Sequence, residues 1–338
     1  MIQAGVILLD SLRMLRASKL FWVSIWISTL VALVYASIGF TDTGISAGFG
    51  LWDIPMPILR KGTREAEVFY LLMFTDVIVR FWLGWFSLVL ALISTSSIFP
   101  QFLQTGSIEI ALSKPVSRTR LFLLKYLGGL LFVALQTALF CLVAFIAMGL
   151  RVNEWNLTIF WAVPVITFSF SLIYCVGVII GVTTRSTVFA LLGALMFWLL
   201  TLVAQWTEDF MYKVAYLMPE VGMGVDLKSG QISEAGNNSG SGMKKAYEAI
   251  KPVVAVLPKT RECTVGLKRL IRFKERNSML TGMDMGSVLM AGEADPAIRK
   301  AMEKYEMRHS WFSIIGSSLV FEVLVLGWAV WIFSRRDY

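Results

Sequence analysis

The sequence predicts an all-α integral membrane protein with six transmembrane helices. Of its 338 residues, 57% are hydrophobic and only 16% are charged, whereas a soluble globular protein is about 25% charged. The hydrophobic residues form six long stretches that carry no charge or a single charge. Because these stretches are continuously apolar and do not alternate as barrel strands do, the pattern favours helices.

Each predicted span has close to or more than the roughly 20 apolar residues that a membrane helix requires. The six spans are predicted at residues 20–40, 81–108, 126–150, 155–184, 186–207 and 310–334. The first is longer than the apolar core of a secretory signal peptide and has no clear cleavage site, so we interpret it as a retained span.

The distribution of basic residues predicts that both termini lie on the inner side. With the N-terminus inside, the inner segments hold ten Lys and Arg residues, and the short outer segments hold five. Short loops rich in Lys and Arg stay inside. The long connection 208–309 then lies outside, which is compatible with its 16 basic residues because long loops cross largely regardless of charge.

Residues 1–19 precede the first span and are predicted to form an amphipathic elbow helix. Apolar residues recur there at helical spacing, with polar and basic residues on the other side. This pattern is typical of a helix that lies at the membrane surface. The alternative is an ordinary positively charged flank of the first span.

The region before the second predicted span is apolar for longer than one crossing requires. Residues 41–66 are rich in Gly, Asp and Pro and are predicted to be a loop, and residues 67–99 are then largely apolar. We expect a helix that protrudes on the outer side, or a surface helix followed by a span. Asp76 and Arg80 are four residues apart, so they can form a surface ion pair on one helix face.

The connection 208–309 is predicted to be a small helical element or lid and not a large folded domain. Residues 230–242 have the composition of a flexible insert. We expect a helix at 244–250 that stops before Pro252, and a basic amphipathic segment at 264–276. Asp295 and Pro296 suit the start of a helix that leads into the sixth span.

Several chemistries have no support in the sequence. It contains no phosphate loop, no H-E-x-x-H and no C-x-x-C, and its one histidine, His309, is interpreted as interfacial. We therefore expect no cofactor in this chain. The net charge of +8 is explained by basic flanks beside anionic lipid headgroups, and no nucleic-acid motif is recognised.

Glu322 is the single charged residue in the sixth predicted span, near its middle. A carboxylate at that depth is expensive, so it should face protein or water and have a partner, or be protonated. We consider Gln136 and residues 94–97 as neutral partners. Two roles remain open: a protonated or hydrogen-bonded residue that joins two helices, and a residue in a substrate or proton path.

The segment between the second and third predicted spans is the most distinctive part of the sequence. Residues 101–111 can form a short helix along the inner surface, and Lys114-Pro115 breaks it because proline cannot continue a helix. Arg118, Arg120 and Lys125 then mark the headgroup level. A kinked basic element of this kind is suited to docking a cytosolic partner, and the plainer alternative is a positively charged inner loop.

The residues of this segment carry a family resemblance. Residues 105–118 read TGSIEIALSKPVSR and are followed by LKY at 124–126. This stretch resembles the signature of the type-2 ABC export permeases, G-[TS]-[IL]-x-x-[LA]-L-[SA]-x-P-[VI]-[ST]-R. The six-span plan, the N-terminal elbow, the long fifth connection and the closing FSRRDY are also similar to that family. Gln101 and Gln104 depart from it, because members often carry an acidic residue there.

The resemblance implies a partner arrangement. Two such permeases pair, as a homodimer or a heterodimer, and bind two cytosolic ATPase subunits, which hold the ATP and Mg²⁺. The segment 100–118 would couple to the ATPase, whose closure on ATP moves the spans. The coupling residues implied by position are Gly106, Glu109, Lys114, Pro115 and Arg118. Glu109 and Arg118 would make polar contacts and Pro115 would set the shape.

The resemblance also implies a prokaryotic inner or plasma membrane and leaves the cargo open. Some members move lipids, glycans or drugs, and others transmit force to outer proteins, a mode that the long outer loop keeps open. Two alternatives are a self-contained secondary transporter or channel, and a non-transporting membrane anchor. A secondary transporter would be expected to show intramembrane charge pairs, broken helices or repeated halves.

Overall fold

The computed structural model describes residues 19–104, 117–217, 223–225, 232–234, 241–271 and 310–336. In these residues, six helices are long and apolar enough to cross a membrane. The protein is therefore a predominantly helical integral membrane protein, and the predicted fold class is confirmed. The predicted elbow at 1–19 and the helix start at Asp295 lie outside the described residues, apart from Lys19.

The six helices are called spans 1 to 6. They run over Lys19–Ser37, Arg64–Phe102, Arg118–Val152, Leu157–Thr184, Thr187–Tyr216 and Trp311–Arg335. The α-helices of the protein, in chain order, are α1 (Lys19–Ser37), α2 (Arg64–Leu72), α3 (Ser87–Thr95), α4 (Ile98–Phe102), α5 (Arg118–Val152), α6 (Ala162–Thr184), α7 (Thr187–Tyr212), α8 (Ser241–Val256), α9 (Thr260–Leu270) and α10 (Trp311–Arg335). Of these, α8 and α9 belong to the last connection and the others to the spans.

Span 2 begins at Arg64 and not at the predicted Phe81. The prediction was wrong there because it required an uncharged stretch, and Asp76 and Arg80 interrupt that stretch. Thr63 caps the start of this helix, because its hydroxyl accepts from the backbone N–H of Ala66 at 3.4 Å. Span 2 has 39 residues, of which Met73–Phe86 are π-helical. It is therefore longer than the roughly 20 residues of one crossing, as expected.

A small antiparallel sheet fills the connection between spans 1 and 2. Its strands are β1 (Gly39–Phe40), β2 (Gly44–Ala47) and β3 (Trp52–Pro55), in the order β1-β2-β3. A Cβ at Gly44 would come within 2.3 Å of the Met56 backbone nitrogen, so the close approach there requires glycine. Two further strands, β4 (Met223–Val225) and β5 (Ile232–Glu234), pair in the last connection.

The core of the bundle lies around span 4. In an 18-residue window of that span 72% of the residues are buried, against 22% in span 6 and 28% in spans 1 and 5. Spans 3 and 4 pack on one another and on span 6. Spans 1, 5 and 6 therefore lie at the periphery, and their outer faces are apolar, with exposed residues such as Trp26, Leu200 and Trp328.

Two helices of the last connection pack on the bundle: α8 (Ser241–Val256) and α9 (Thr260–Leu270). The predicted stop before Pro252 was wrong, because α8 continues through that proline. Proline removes one helical hydrogen bond. Tyr247 and Val254, which lie on either side of it, are 7% and 3% exposed, and their burial offsets that loss.

Candidate functional site

Each end of the bundle gathers one set of helix termini. The tail end holds the start of spans 1, 3 and 5 and the end of spans 2, 4 and 6. It is defined by Lys19, Phe102, Arg118, Thr184, Thr187 and Arg335. The cap end is the opposite end, on which α8 and α9 pack.

Arg118 is the one predicted coupling residue that the structure describes, and it lies at the tail end. The other four lie outside the described residues: Gly106, Glu109, Lys114 and Pro115. The structure describes both flanks of their segment, which are α4 on one side and Arg118 on the other. Ser117 caps the start of span 3 by accepting from the backbone N–H of Arg120 at 3.4 Å.

Arg118 reaches across the tail end to the last residues of span 6. Its Nη1 donates to the carbonyls of Ser334 and Arg336, each at 3.0 Å. The last four carbonyls of a helix lack an intrahelical partner, and the helix end carries partial negative charge. A cation is unfavourable at the start of its own helix, and Arg118 places its charge at the end of another.

Arg336 makes the equivalent contact with span 4. Its Nη1 donates to the carbonyl of Val182 at 2.7 Å, and its Nη2 donates to the carbonyl of Thr183 at 3.1 Å. Both carbonyls belong to the last turn of that helix. We call Arg118, Arg336 and the four carbonyls that they bind the arginine clasp. It joins the start of span 3, the end of span 6 and the end of span 4.

Aromatic residues fix the other flank of the coupling segment to the same place. The rings of Phe102 and Phe333 are 6.1 Å apart, and those of Phe122 and Phe333 are 5.6 Å apart. Phe99 packs against Phe122 at 4.9 Å. The ammonium of Lys125, which is only 3% exposed, lies 5.4 Å from the centre of the Phe102 ring. Lys125 is thus buried among the helices at this end of the bundle.

Glu322 is buried in the middle of the bundle and meets Tyr126 of span 3. The Tyr126 hydroxyl donates to Glu322 Oε1 at 2.7 Å, and its oxygen also lies 3.0 Å from the carbonyl of Ser171. A hydroxyl has one proton. Tyr126 can therefore donate fully to only one of these two acceptors at a time.

The neutral partners proposed for Glu322 were wrong. Gln136 donates to the Ser28 hydroxyl at 2.9 Å, and the Ser94 hydroxyl donates to the Leu20 carbonyl at 3.4 Å. Both therefore join span 1 to its neighbours. Tyr126 reaches Glu322 because it lies two turns inside span 3, and the sequence reading had taken it as the first residue of that span.

At the cap end, α9 lies among the ends of four spans. It packs on spans 2, 4, 5 and 6, and Cys263 and Leu267 are fully buried. The Lys259 backbone N–H donates to the Ser318 hydroxyl at 3.0 Å. Ser318 lies two turns inside span 6, so the start of α9 is roughly 10 Å below the helix end at about 1.5 Å per residue.

Polar contacts with span 5 hold the start of α9. Arg261 Nη2 donates to Asp209 Oδ2 at 2.7 Å, and Lys213 lies 3.1 Å from the same oxygen. The Gln205 side chain donates to the Pro258 carbonyl at 2.6 Å and accepts from the Arg261 backbone N–H at 3.2 Å. The start of α9 is therefore bound by both a charge and an amide.

The other end of α9 is bound to span 2. Lys268 donates to Asp76, so the predicted pairing of Asp76 with Arg80 was wrong. Gly84 allows the two helices to approach closely, since a Cβ there would lie 2.9 Å from Thr264 Cγ2. α9 is therefore held at both ends by contacts with the spans, and its role as a lid stays a prediction.

Cys263 is a natural reporter of the position of α9. Its burial raises the pKa of the thiol to about 12, so the thiol stays protonated and unreactive. If α9 leaves the bundle, the thiol becomes exposed and returns towards its ordinary pKa of about 8.5.

The sequence reading missed Tyr126 and Arg336 as contact residues. The weak signal for Arg336 was the pair of arginines directly after an apolar span. Within the described parts of the chain, no group of three His, Cys, Asp or Glu residues is placed to hold a metal.

The comparison with protein families decides the identity. Residues 6–338 match the family described as ABC-2 family transporter protein. The chain belongs to the ABC-2 transporter family. As an ABC-2 protein it is the membrane permease component of an ABC transporter, and this membership implies ATPase partners. Comparisons with curated proteins and with solved structures give no match.

Proposed function

We propose that this ABC-2 permease is the membrane subunit of an ATP-driven exporter whose ATPase is on a separate chain. The observation that carries the proposal is the match to the ABC-2 family over nearly the whole chain. In this proposal two permeases pair, each with its N- and C-termini in the cytosol, and bind two ATPase subunits that hold ATP and Mg²⁺. The protein resides in a prokaryotic inner or plasma membrane.

The tail end is the side on which the ATPase docks. Gly106, Glu109, Lys114 and Pro115 form the docking surface, and Glu109 makes its polar contact. The contacts of Phe102 and Arg118 support this assignment, because they anchor both flanks of the segment to span 6. A docking element requires anchored flanks if it is to move the spans.

The cap end is the outer side, and α9 closes it in the resting state. The burial of Cys263 and Leu267 and the contacts of Arg261 and Lys268 support this role. The cargo is a lipid-like, glycan or amphipathic molecule that leaves when α9 moves. In the second mode of this proposal, the connection 208–309 transmits force to an outer partner protein.

Purification of the tagged permease in mild detergent tests the proposal. We expect a phosphate-loop ATPase to accompany the chain in a fixed ratio, and an additional outer protein would select the force-transmitting mode. Recovery of the permease without an ATPase in several detergents would contradict the proposed stable assembly with a separate ATPase chain.

Glu109→Arg then tests the docking surface. Charge reversal is expected to reduce ATPase stimulation at least tenfold while membrane insertion is unchanged, because like-charge contacts at an interface cost several kcal/mol. Glu65→Arg is the matched control, since Glu65 is an exposed residue in the first turn of α2 at the cap end. Equal stimulation by both variants would contradict the docking role.

A further inference from the structure

We propose that Arg118 and Arg336 are positioning residues that carry the movement of the ATPase from the coupling segment to spans 6 and 4. This inference rests on the proposed ATP-driven function. It assigns Arg118 a role inside the permease, whereas the family resemblance suggested a contact with the ATPase.

The first support is that both flanks of the coupling segment end on the same helix terminus. Phe102 precedes the segment and packs on Phe333, while Arg118 follows it and binds the carbonyls of Ser334 and Arg336. Phe333 is fully buried, so it cannot move independently of its neighbours. A displacement of the segment therefore displaces the end of span 6.

The second support is that the chain of contacts continues to span 4. Arg336 accepts from Arg118 through its carbonyl and donates through its guanidinium to the carbonyls of Val182 and Thr183. Span 4 is the most buried of the six spans and contacts α9 at the cap end. The clasp therefore connects the coupling segment with the helix that lies under the lid.

The third support is the choice of residue type. Arg336 donates to two carbonyls from two nitrogens, Nη1 and Nη2, which the planar guanidinium holds in a fixed arrangement. Arg118 donates to both of its carbonyls from Nη1, so the argument from residue type applies to Arg336. A lysine ammonium is a flexible point charge and fixes such a pair of carbonyls less rigidly. The neighbouring Arg335 differs, because it is exposed and stacks on the Trp331 ring at 4.6 Å. Two adjacent arginines with the same charge thus have different surroundings.

This difference provides a matched control. Arg336→Gln and Arg118→Gln are compared with Arg335→Gln, each purified with its ATPase. We expect kcat for ATP hydrolysis per assembled complex to fall at least fivefold in the clasp variants, with KM for ATP unchanged because the nucleotide site is on the partner. Arg335→Gln should hydrolyse ATP at the wild-type rate. The double variant Arg118→Gln, Arg336→Gln should be no worse than either single variant, since both remove one connection.

A purely structural role would lower the yield or the thermal stability of the complex and leave kcat per complex unchanged, which would overturn the proposal. Arg336→Lys retains the positive charge. It is the variant to measure if Arg336→Gln does not assemble with the ATPase. We expect it to assemble and to show a reduced kcat, and a wild-type kcat would also overturn the proposal. Failure of the proposed function is a distinct result, because the wild-type permease would then bring no ATPase.

Discussion

The arginine clasp at the tail end donates to backbone carbonyls, whereas the basic side chains of α9 at the cap end pair with carboxylates. Arg118 and Arg336 bind the terminal carbonyls of spans 6 and 4. Arg261 and Lys268 bind Asp209 and Asp76 on spans 5 and 2. The clasp is thus attached to the main chain, whereas the basic side chains of α9 are attached to other side chains. At the cap end Arg151 also donates to a backbone carbonyl, that of Ala36 at 3.2 Å, so the difference concerns the clasp and α9 and not every cation at the two ends.

This difference indicates that the contacts of the clasp and those of α9 have different functions. A carbonyl at a helix end moves with its helix, so a side chain that binds it transmits displacement. An ion pair joins two side chains and can break without moving either helix. It is also weakened by salt where it is exposed to solvent, and Arg261 and Lys268 are about one-fifth exposed. The clasp is therefore suited to transmission, and the ion pairs of α9 are suited to release.

Forcing α9 off the bundle is expected to have the largest effect on this comparison. In Gly84→Val the added atoms overlap Thr264, because a single Cβ would already lie 2.9 Å from it. Overpacking of this kind costs about 1–3 kcal/mol. We expect Cys263 to be alkylated by a maleimide at least tenfold faster than in the wild type. Gly316→Val is the control, since a Cβ there meets no atom within 4 Å, and equal alkylation in the two variants would refute the closed lid.

The middle of the bundle is expected to give the smallest effect. Glu322→Gln retains an oxygen that accepts from the Tyr126 hydroxyl, so assembly and thermal stability should remain close to those of the wild type. Glu322→Leu loses the hydrogen bond, and such bonds between membrane helices contribute about 0.6 kcal/mol on average. Thermal unfolding in detergent compares the two variants. Loss of ATP-driven transport in Glu322→Gln, with normal assembly, would instead place this residue in a substrate or proton path.

Much of the fold could be predicted because the physical demand of the bilayer is local. A span requires a continuous apolar stretch, and five of the six starts were predicted to within eight residues. The start of span 2 was predicted less well, because Asp76 and Arg80 interrupt the uncharged stretch that was taken as the span, although the apolar run 67–99 was expected to continue on the outer side as a helix. Asp76 pairs with Lys268 from a segment 192 residues away. The sequence shows the charge but not its distant partner.

The contacts of the site depend on which helix ends meet, and this is set by tertiary packing. The sequence identified Arg118 through its motif, but its binding to carbonyls near residue 335 requires the start of span 3 to lie beside the end of span 6. In the same way, Tyr126 was predicted as the first residue of the third span, and its contact with Glu322 depends on how spans 3 and 6 pack.

The alkylation rate of Cys263 with and without ATP tests most directly whether events at the tail end open the cap end. The complex would carry Cys141→Ala and Cys175→Ala, so that Cys263 is the one remaining cysteine of the permease, and a Cys263→Ser complex would give the background. We expect ATP and Mg²⁺ to increase the rate at least tenfold, because movement of α9 exposes a thiol that is otherwise buried and protonated. An equal rate in the presence and absence of ATP would contradict an ATP-driven opening of the cap end.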